Sequence, residues 1–259
     1  MKSGLKGKVV LVTGGAGGIG TQISKAFSEE GAKVIIHYHQ SEKNAEKLAN
    51  DLGCRTIKAD LTDSNQANSL FLQAIEMEGA IDICIANAGF YPKQSTNLWN
   101  IKDKRWNDTI NTNLSLTFNT SREFLKHASK TKQGSLVLVG STAGIYGEAG
   151  HSDYAAAKGA IISGLLNTLK NEVAQIGDGV RVNAVAPGWT LTNKKLKDSL
   201  DDSDVKKITS TMALKKLATP EDVANSIVML ASNKLSNHVT GQIIEIAGGM
   251  EGRQITGIK

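Results

Sequence analysis

Cysteine is nearly missing from this 259-residue chain: Cys54 and Cys84 are the only two. Both lie in apolar, strand-like runs. That excludes a disulfide framework and a cysteine metal cluster, and it points to reduced core residues in a cytoplasmic protein with no metal site. Proline is as scarce, and all three stand outside element interiors. Pro92 and Pro187 follow strands, and Pro220 opens a helix, where its missing N–H costs nothing. No run of about 18 apolar residues exists, so no membrane span is expected. The N-terminal MKSGLKGKVVLVTGG lacks the long apolar core and small-residue cleavage site of a signal peptide. Charge of one sign is not concentrated either. The net charge is +5, but the richest stretch, Lys194, Lys195 and Lys197, runs at once into Asp198, Asp201, Asp202 and Asp204. Such mixing describes a solvated surface, not a phosphate-tracking stripe, and no nucleic-acid partner is expected.

What is present is an alternating rhythm. Strand-like runs cover Lys8–Thr13, Lys33–Tyr38, Arg55–Ala59, Ile81–Ala86, Ser135–Gly140, Val180–Val185 and Gln242–Ile246. Helical patterns fall between them: Ile19–Glu30, Glu42–Leu52, Ser64–Met77, Lys102–Asn111, Leu114–Lys130, Asp153–Gln175, and one opened by Pro220-Glu221-Asp222. Apolar strands alternating with helices predict an α/β fold, a doubly wound seven-stranded parallel sheet covered on both faces. The unbroken rhythm predicts one domain over residues 1–259.

The first strand ends in 13-TGGAGGIG-20. Glycine lets the backbone turn tightly and approach a ligand without a Cβ in the way. The helix start that follows offers free N–H groups and a positive dipole end. Gly14, Ala16, Gly17, Gly18, Ile19 and Gly20 are therefore expected to cradle a pyrophosphate, as in a Rossmann domain. At the end of the second strand, NAD sites place an acid on the ribose 2′-hydroxyl. This chain reads 36-IHYHQSEK-43, with Tyr38 there and no carboxylate along the strand until Glu42. His39, Gln40 and Ser41, with Lys43 beyond them, are left to meet a 2′-phosphate, which favours NADP(H) over NAD(H).

From Leu5 to Met250 the chain resembles the short-chain dehydrogenases/reductases. The likeness is carried by Gly14, Gly18 and Gly20, by 86-ANAG-89, 111-NTNLS-115 and 140-GSTAG-144, by the pair in 154-YAAAK-158, and by 187-PGWT-190. It implies hydride transfer between a nicotinamide and a carbonyl or carbinol carbon. Asn113, Ser141, Tyr154 and Lys158 match the catalytic set. Asn87, Ala88 and Gly89, Asp60 and Leu61, and Pro187, Gly188 and Thr190 match cofactor contacts. Tyr154 and Lys158 lie one helical turn apart and share a face. A phenol of ordinary pKa ~10 is a poor base at neutral pH, and a nearby ammonium favours its ionised form. Tyr154 is thus expected as the acid/base, with Lys158 lowering its pKa and binding the cofactor ribose. Ser141 would hydrogen-bond the substrate oxygen, and Asn113 would anchor a water.

Specificity is expected from residues 90–99, from residues 145–152 and from a lid-like stretch over about 189–213. Phe90, Ile145, Tyr146, His151 and Trp189 are the expected pocket. Within the family the chain looks most like the 3-oxoacyl-(acyl carrier protein) reductases, through its HYHQS run and 238-HVTGQIIEIAGGM-250. Lys132 matches one of that group's two basic carrier-binding positions, and Gln175 stands where the second is arginine. Three readings stay open: a reductase of 3-oxoacyl groups carried on coenzyme A or acyl carrier protein, a sugar or polyol dehydrogenase, and a cofactor-binding sensor or scaffold without turnover. Family members usually form homotetramers. Leu114, Leu116, Phe118, Ile161, Leu165, Leu166 and Leu169 could serve the core or such an interface.

Overall fold

The central strands are mostly β-branched and aliphatic because both of their faces are buried, whereas the two edge strands, Arg55–Lys58 and Ile243–Ile246, are partly exposed. In the computed structural model, which describes residues 2–192 and 200–250, they assemble as one parallel sheet. The strands are β1 (Val9–Val12), β2 (Lys33–Tyr38), β3 (Arg55–Lys58), β4 (Ile83–Ala86), β5 (Gly134–Val139), β6 (Val180–Pro187) and β7 (Ile243–Ile246). Their spatial order is β3-β2-β1-β4-β5-β6-β7.

Side chains alternate between the faces, so neighbours in sequence enter different cores. Val10 and Val12 of β1 pack with Ile23 and Phe27 of helix α1 (Gly18–Glu29) and with Val223 and Ile227 of a later helix, Pro220–Ala231. Leu11 lies on the other face, with Leu70 and Phe71 of Ser64–Glu78, Phe124 of Leu116–Thr131 and Leu166 of Leu166–Glu172. Glu42–Leu52 adds Ala45, Leu48 and Ala49 to the first core. The helix from Pro220 opens on a capping box between Thr219 and Asp222, which satisfies amides that have no partner within the helix.

Two long helices are less regular than their periodicity predicts. Asp103–Ile110 and Leu116–Thr131 join through a π-helical turn, Asn111–Ser115. The expected helix over 153–175 is divided into Ser152–Gly159, a π turn over Ala160–Leu165, Leu166–Glu172 and a 3-10 turn over Val173–Gln175. Short helices at Ala143–Tyr146, Asp202–Ile208 and Asn233–Ser236 carry too few residues to show a period. In the expected lid, residues 193–199 lie outside the described residues. Before them Trp189–Leu191 pairs with Ala218, and after them Leu214 N donates to Gly248 O at 2.8 Å. Leu116, Ile161, Leu166 and Leu169 are core, whereas Phe118 is 47% exposed beneath the Arg122 guanidinium.

Candidate active site

β1 runs on to β2 on one side, and β4 then pairs with β1 on the other. The chain reverses its direction of travel there, and such switch points open a crevice at the carboxyl ends of the strands. A cleft of about 960 Å³ lies there, lined by the segments that follow β1 through β6. The expected cofactor residues from Gly14 to Thr190 line it, Lys43 excepted, as do the four expected catalytic residues.

The glycine turn is built tightly. Gly14 has φ +61°, and a Cβ on Gly20 would stand 2.1 Å from the Gly14 carbonyl oxygen. Gly17 gives α1 no side-chain cap, so its first-turn amides have no side chain on them where Gly17–Gly20 line the cleft. That arrangement suits a dinucleotide pyrophosphate. Asn87 clasps the turn from β4: its Nδ2 donates to Thr13 O at 2.9 Å and Gly14 O at 3.2 Å. Thr13 Oγ1 in turn accepts the N–H groups of Asn87 and Ala88.

Sequence reasoning missed His37, although a histidine inside the apolar run KVIIHY is a signal. It is buried, accepts the Gly14 N–H on Nδ1 at 3.0 Å and bonds Ala59 O through Nε2 at 3.0 Å. Burial pushes its pKa down to about 4, so it is neutral, with the proton on Nε2. Tyr38 is buried and donates to Glu42 Oε1 at 3.1 Å. Glu42 and Lys43 do not line the cleft, while His39, Gln40 and Ser41 do. The carboxylate at this end comes from the next strand instead: Asp60 Oδ2 is 3.9 Å from His39 Nε2.

Ser141 follows β5, and Tyr154 and Lys158 share one face of Ser152–Gly159. Burial raises the Tyr154 pKa to about 12, the Ser141 hydroxyl bonded to it lowers it, and Glu148 raises it. Lys158 is itself pushed down to about 8 by burial. The expectation that Lys158 lowers the phenol pKa is therefore not met in this state. Its Nζ donates to Val139 O at 2.8 Å and stands 5.8 Å from the Tyr154 ring centroid, with both groups sharing the cost of burial. Asn113 is fully buried in the π turn. Its Nδ2 donates to Phe90 O at 2.8 Å and Thr109 O at 3.0 Å, and its Oδ1 accepts the Phe90 N–H at 3.3 Å. The amide clamps the cleft wall and has one lone pair left for a water.

Three pocket expectations need correction. Phe90 and Trp189 line the cleft, but Ile145, Tyr146 and His151 do not. Tyr146 reaches across to Glu245 Oε2 at 2.7 Å, outside the cleft. His151 is buried behind Tyr91, stacked on it at 4.7 Å with Nε2 on Pro92 O at 3.0 Å. The wall uses Tyr91, Lys93, Glu148 and Thr192 instead. Tyr91 meets the Tyr154 ring edge-on at 5.0 Å and donates to Glu148.

Beneath this wall, Arg105 ties the segments together. It forks onto Asp153 at 2.9 and 3.2 Å and also reaches Gln94 O, Thr96 Oγ1 and Gly150 O. Burial alone would raise the Asp153 pKa, but its bonds from Arg105, Thr109 and the Tyr154 N–H bring it below the usual carboxylate value.

Among the described residues no helix is long and apolar enough to cross a membrane. The family model described as enoyl-(acyl carrier protein) reductase matches residues 14–251. The chain is 36% identical over 251 residues to the 3-oxoacyl-(acyl carrier protein) reductase FabG of Thermotoga maritima, covering 95% of this chain and 98% of that protein. The proteins of the same name from Escherichia coli K12 and Vibrio harveyi are 34% and 35% identical over 248 residues, again covering 95% of this chain and 98% of theirs. A glycine cradle at the sheet's switch point, a serine–tyrosine–lysine group beside it and these likenesses along the whole chain lead to one conclusion: the protein belongs to the short-chain dehydrogenase/reductase family, NAD(P)-dependent oxidoreductases acting on CH–OH groups.

Proposed function

We propose that the protein is an NADP(H)-dependent reductase of 3-oxoacyl thioesters. The observation that carries this reading is the convergence of Ser141, Tyr154 and Lys158 on one end of the cleft, with Phe90 and Trp189 as apolar flanks for an acyl chain. The relatives' printed names support the substrate class. The cofactor, when bound, supplies a hydride to the carbonyl carbon. Tyr154 gives its phenolic proton to the carbonyl oxygen, and Ser141 hydrogen-bonds that oxygen as negative charge gathers there. Lys158 supplies positive charge behind the ring and would hold the ribose of a bound cofactor. Asn113 keeps Gly89 and Phe90 in position. His39, Gln40 and Ser41 support NADP(H), because they line the adenosine end while Glu42 is engaged with Tyr38.

The carrier is coenzyme A or acyl carrier protein. Lys132, exposed at a helix end with φ +58°, supports the protein carrier. The cytoplasm is the proposed location, and the proposed assembly is a homotetramer, for which the exposed Phe118 and Trp106 on the long helices are apolar surface. One domain spans the chain, with the stretch over 189–213 as its substrate lid. A second reading, a sugar or polyol dehydrogenase, is favoured by the Glu148 carboxylate in the cleft wall. The complete serine–tyrosine–lysine set argues against a scaffold without turnover.

Rates with acetoacetyl-CoA, sugars and simple alcohols, each with both cofactors, test these readings. Acetoacetyl-CoA with NADPH is expected to give the highest kcat/KM. Tyr154→Phe is expected to lower it roughly 10²–10⁴-fold. An undiminished rate in that variant would remove the acid/base assignment.

A further inference from the structure

The cleft wall beside Tyr154 carries a carboxylate that the proposed chemistry does not use. Two carboxylates line the cleft among the described residues, Asp60 and Glu148. Asp60 belongs to the adenosine end, where its Oδ1 accepts both the N–H and the hydroxyl of Thr62. Glu148 belongs to the substrate end. Its Oε1 accepts the Tyr91 hydroxyl and lies 3.5 Å from His151 Nδ1. No described residue engages its Oε2, and its side chain is 31% exposed.

Glu148 is backed by packed and hydrogen-bonded side chains. Tyr91 is stacked on His151 at an interplanar angle of 20°, and His151 is buried and bonded to Pro92 O. Tyr91 also meets the Tyr154 ring at 86°. The carboxylate is thus fixed relative to the phenol that protonates the substrate oxygen, and it is partly withdrawn from water. A carboxylate in such a place is an acceptor only. It attracts N–H and O–H groups, and its charge repels another anion more strongly than it would in bulk water.

We propose that Glu148, clamped by Tyr91, is a specificity-determining residue: it accepts a hydrogen-bond donor carried by the substrate near its reacting carbonyl and rejects substrates with an anion there. The inference rests on the reading of Tyr154 as the proton donor. It defines the substrate as a neutral carbonyl compound with an amide N–H or hydroxyl close by, which the amide-bearing arm of a thioester or a polyol would supply. Lys93 lines the same wall, and because it is unchanged in the variants, ratios between variant and wild type isolate Glu148.

The test compares wild type and Glu148→Gln on three probes. The first is the acetoacetyl thioester of N-acetylcysteamine, which carries an amide N–H. The second is ethyl acetoacetate, neutral and without a donor, and the third is the acetoacetate anion. Taking ethyl acetoacetate as the reference, Glu148→Gln is expected to lower relative kcat/KM for the amide thioester several-fold through KM, as a charged acceptor becomes neutral. It is expected to raise relative kcat/KM for acetoacetate roughly tenfold or more. Tyr91→Phe should move both ratios the same way by less.

Glu148 also presses on the Tyr154 phenol, so in the oxidative direction the rise of rate with pH should move to lower pH in Glu148→Gln. A merely structural role would lower all three rates together and leave the ratios alone, and that result overturns the proposal. Tryptophan-fluorescence titration of Tyr154→Phe, with and without Glu148→Gln, measures the same preference as binding. A shifted binding ratio without turnover in wild type would sink the reductase reading and leave only the binding preference of Glu148 standing. Unshifted ratios in both assays would sink this one alone.

Discussion

Replacing Arg105 by methionine should destabilise the fold by a predictable amount and in a pH-dependent way. The guanidinium makes two bonds to Asp153, at 2.9 and 3.2 Å, and two more to Gln94 O at 2.7 Å and Thr96 Oγ1 at 2.6 Å. Asp153 has no exposed side-chain surface, and Arg105 is 21% exposed. Breaking a buried pair by removing one partner costs about 3–5 kcal/mol, because the survivor is left as an uncompensated buried charge. Asp153 would keep the Thr109 hydroxyl at 2.9 Å and the Tyr154 N–H, and water could reach the vacated site, so the lower figure applies. A loss of ~3 kcal/mol corresponds to a fall in Tm of roughly 6–12 °C for a chain of this size.

The pH sign follows from the pKa directions. In the wild type the Asp153 pKa is lowered by folding, so its contribution is present above the unfolded carboxylate value and is lost as pH falls through the folded one. Without Arg105, burial dominates, the folded value rises above the unfolded one, and acid relieves the variant. The difference between the two proteins should therefore be largest near pH 7 and shrink toward pH 4. Urea denaturation at a series of pH values measures it. Arg105→Met combined with Asp153→Leu should recover most of the loss, because no buried charge is then unpaired. A loss below about 1 kcal/mol, or one that does not vary with pH, would refute the assignment of Arg105 as the neutralising partner.

Three further outcomes are expected. Gly20→Ala puts a methyl where the Gly14 carbonyl stands, so cofactor affinity measured by calorimetry should fall at least tenfold or so, with a smaller change in Tm. His37 is neutral when folded, with a pKa near 4 against 6.5 when unfolded. Stability should therefore drop as pH falls from 6.5 to 4, by up to about 3 kcal/mol in total, and His37→Gln should flatten that part of the denaturation-against-pH curve. Arg181 is buried and donates to the carbonyls of Leu230, Ala231 and Val239 as well as to Asn233. Arg181→Met should cost ~3 kcal/mol in urea denaturation by leaving those acceptors unpaired, while KM for the cofactor stays near its wild-type value, since Arg181 does not line the cleft.

The sequence alone determined the parts that depend on local periodicity and on fixed spacing. A parallel strand buried on both faces is mostly apolar, so β1, β4 and β5 could be read directly, and their alternation with helices implied the sheet. The glycine turn and the Tyr154–Lys158 pair were legible for a similar reason, because each is set by a few consecutive residues. Tertiary structure decided what depends on distant segments meeting. His37 reads as core until Gly14 and Ala59 are placed beside it. Nothing along β2 reveals that Asp60 arrives from β3 to stand next to His39. Tyr146 and His151 sit in the expected stretch, but the short helix Ala143–Tyr146 sends Tyr146 to Glu245, and Tyr91 covers His151. Tyr91 and Glu148 become a pair, and Arg105 the partner of Asp153, only when segments 57 and 48 residues apart are brought together. The proton affinity of Tyr154 likewise belongs to the fold, because burial, which no spacing encodes, raises its pKa.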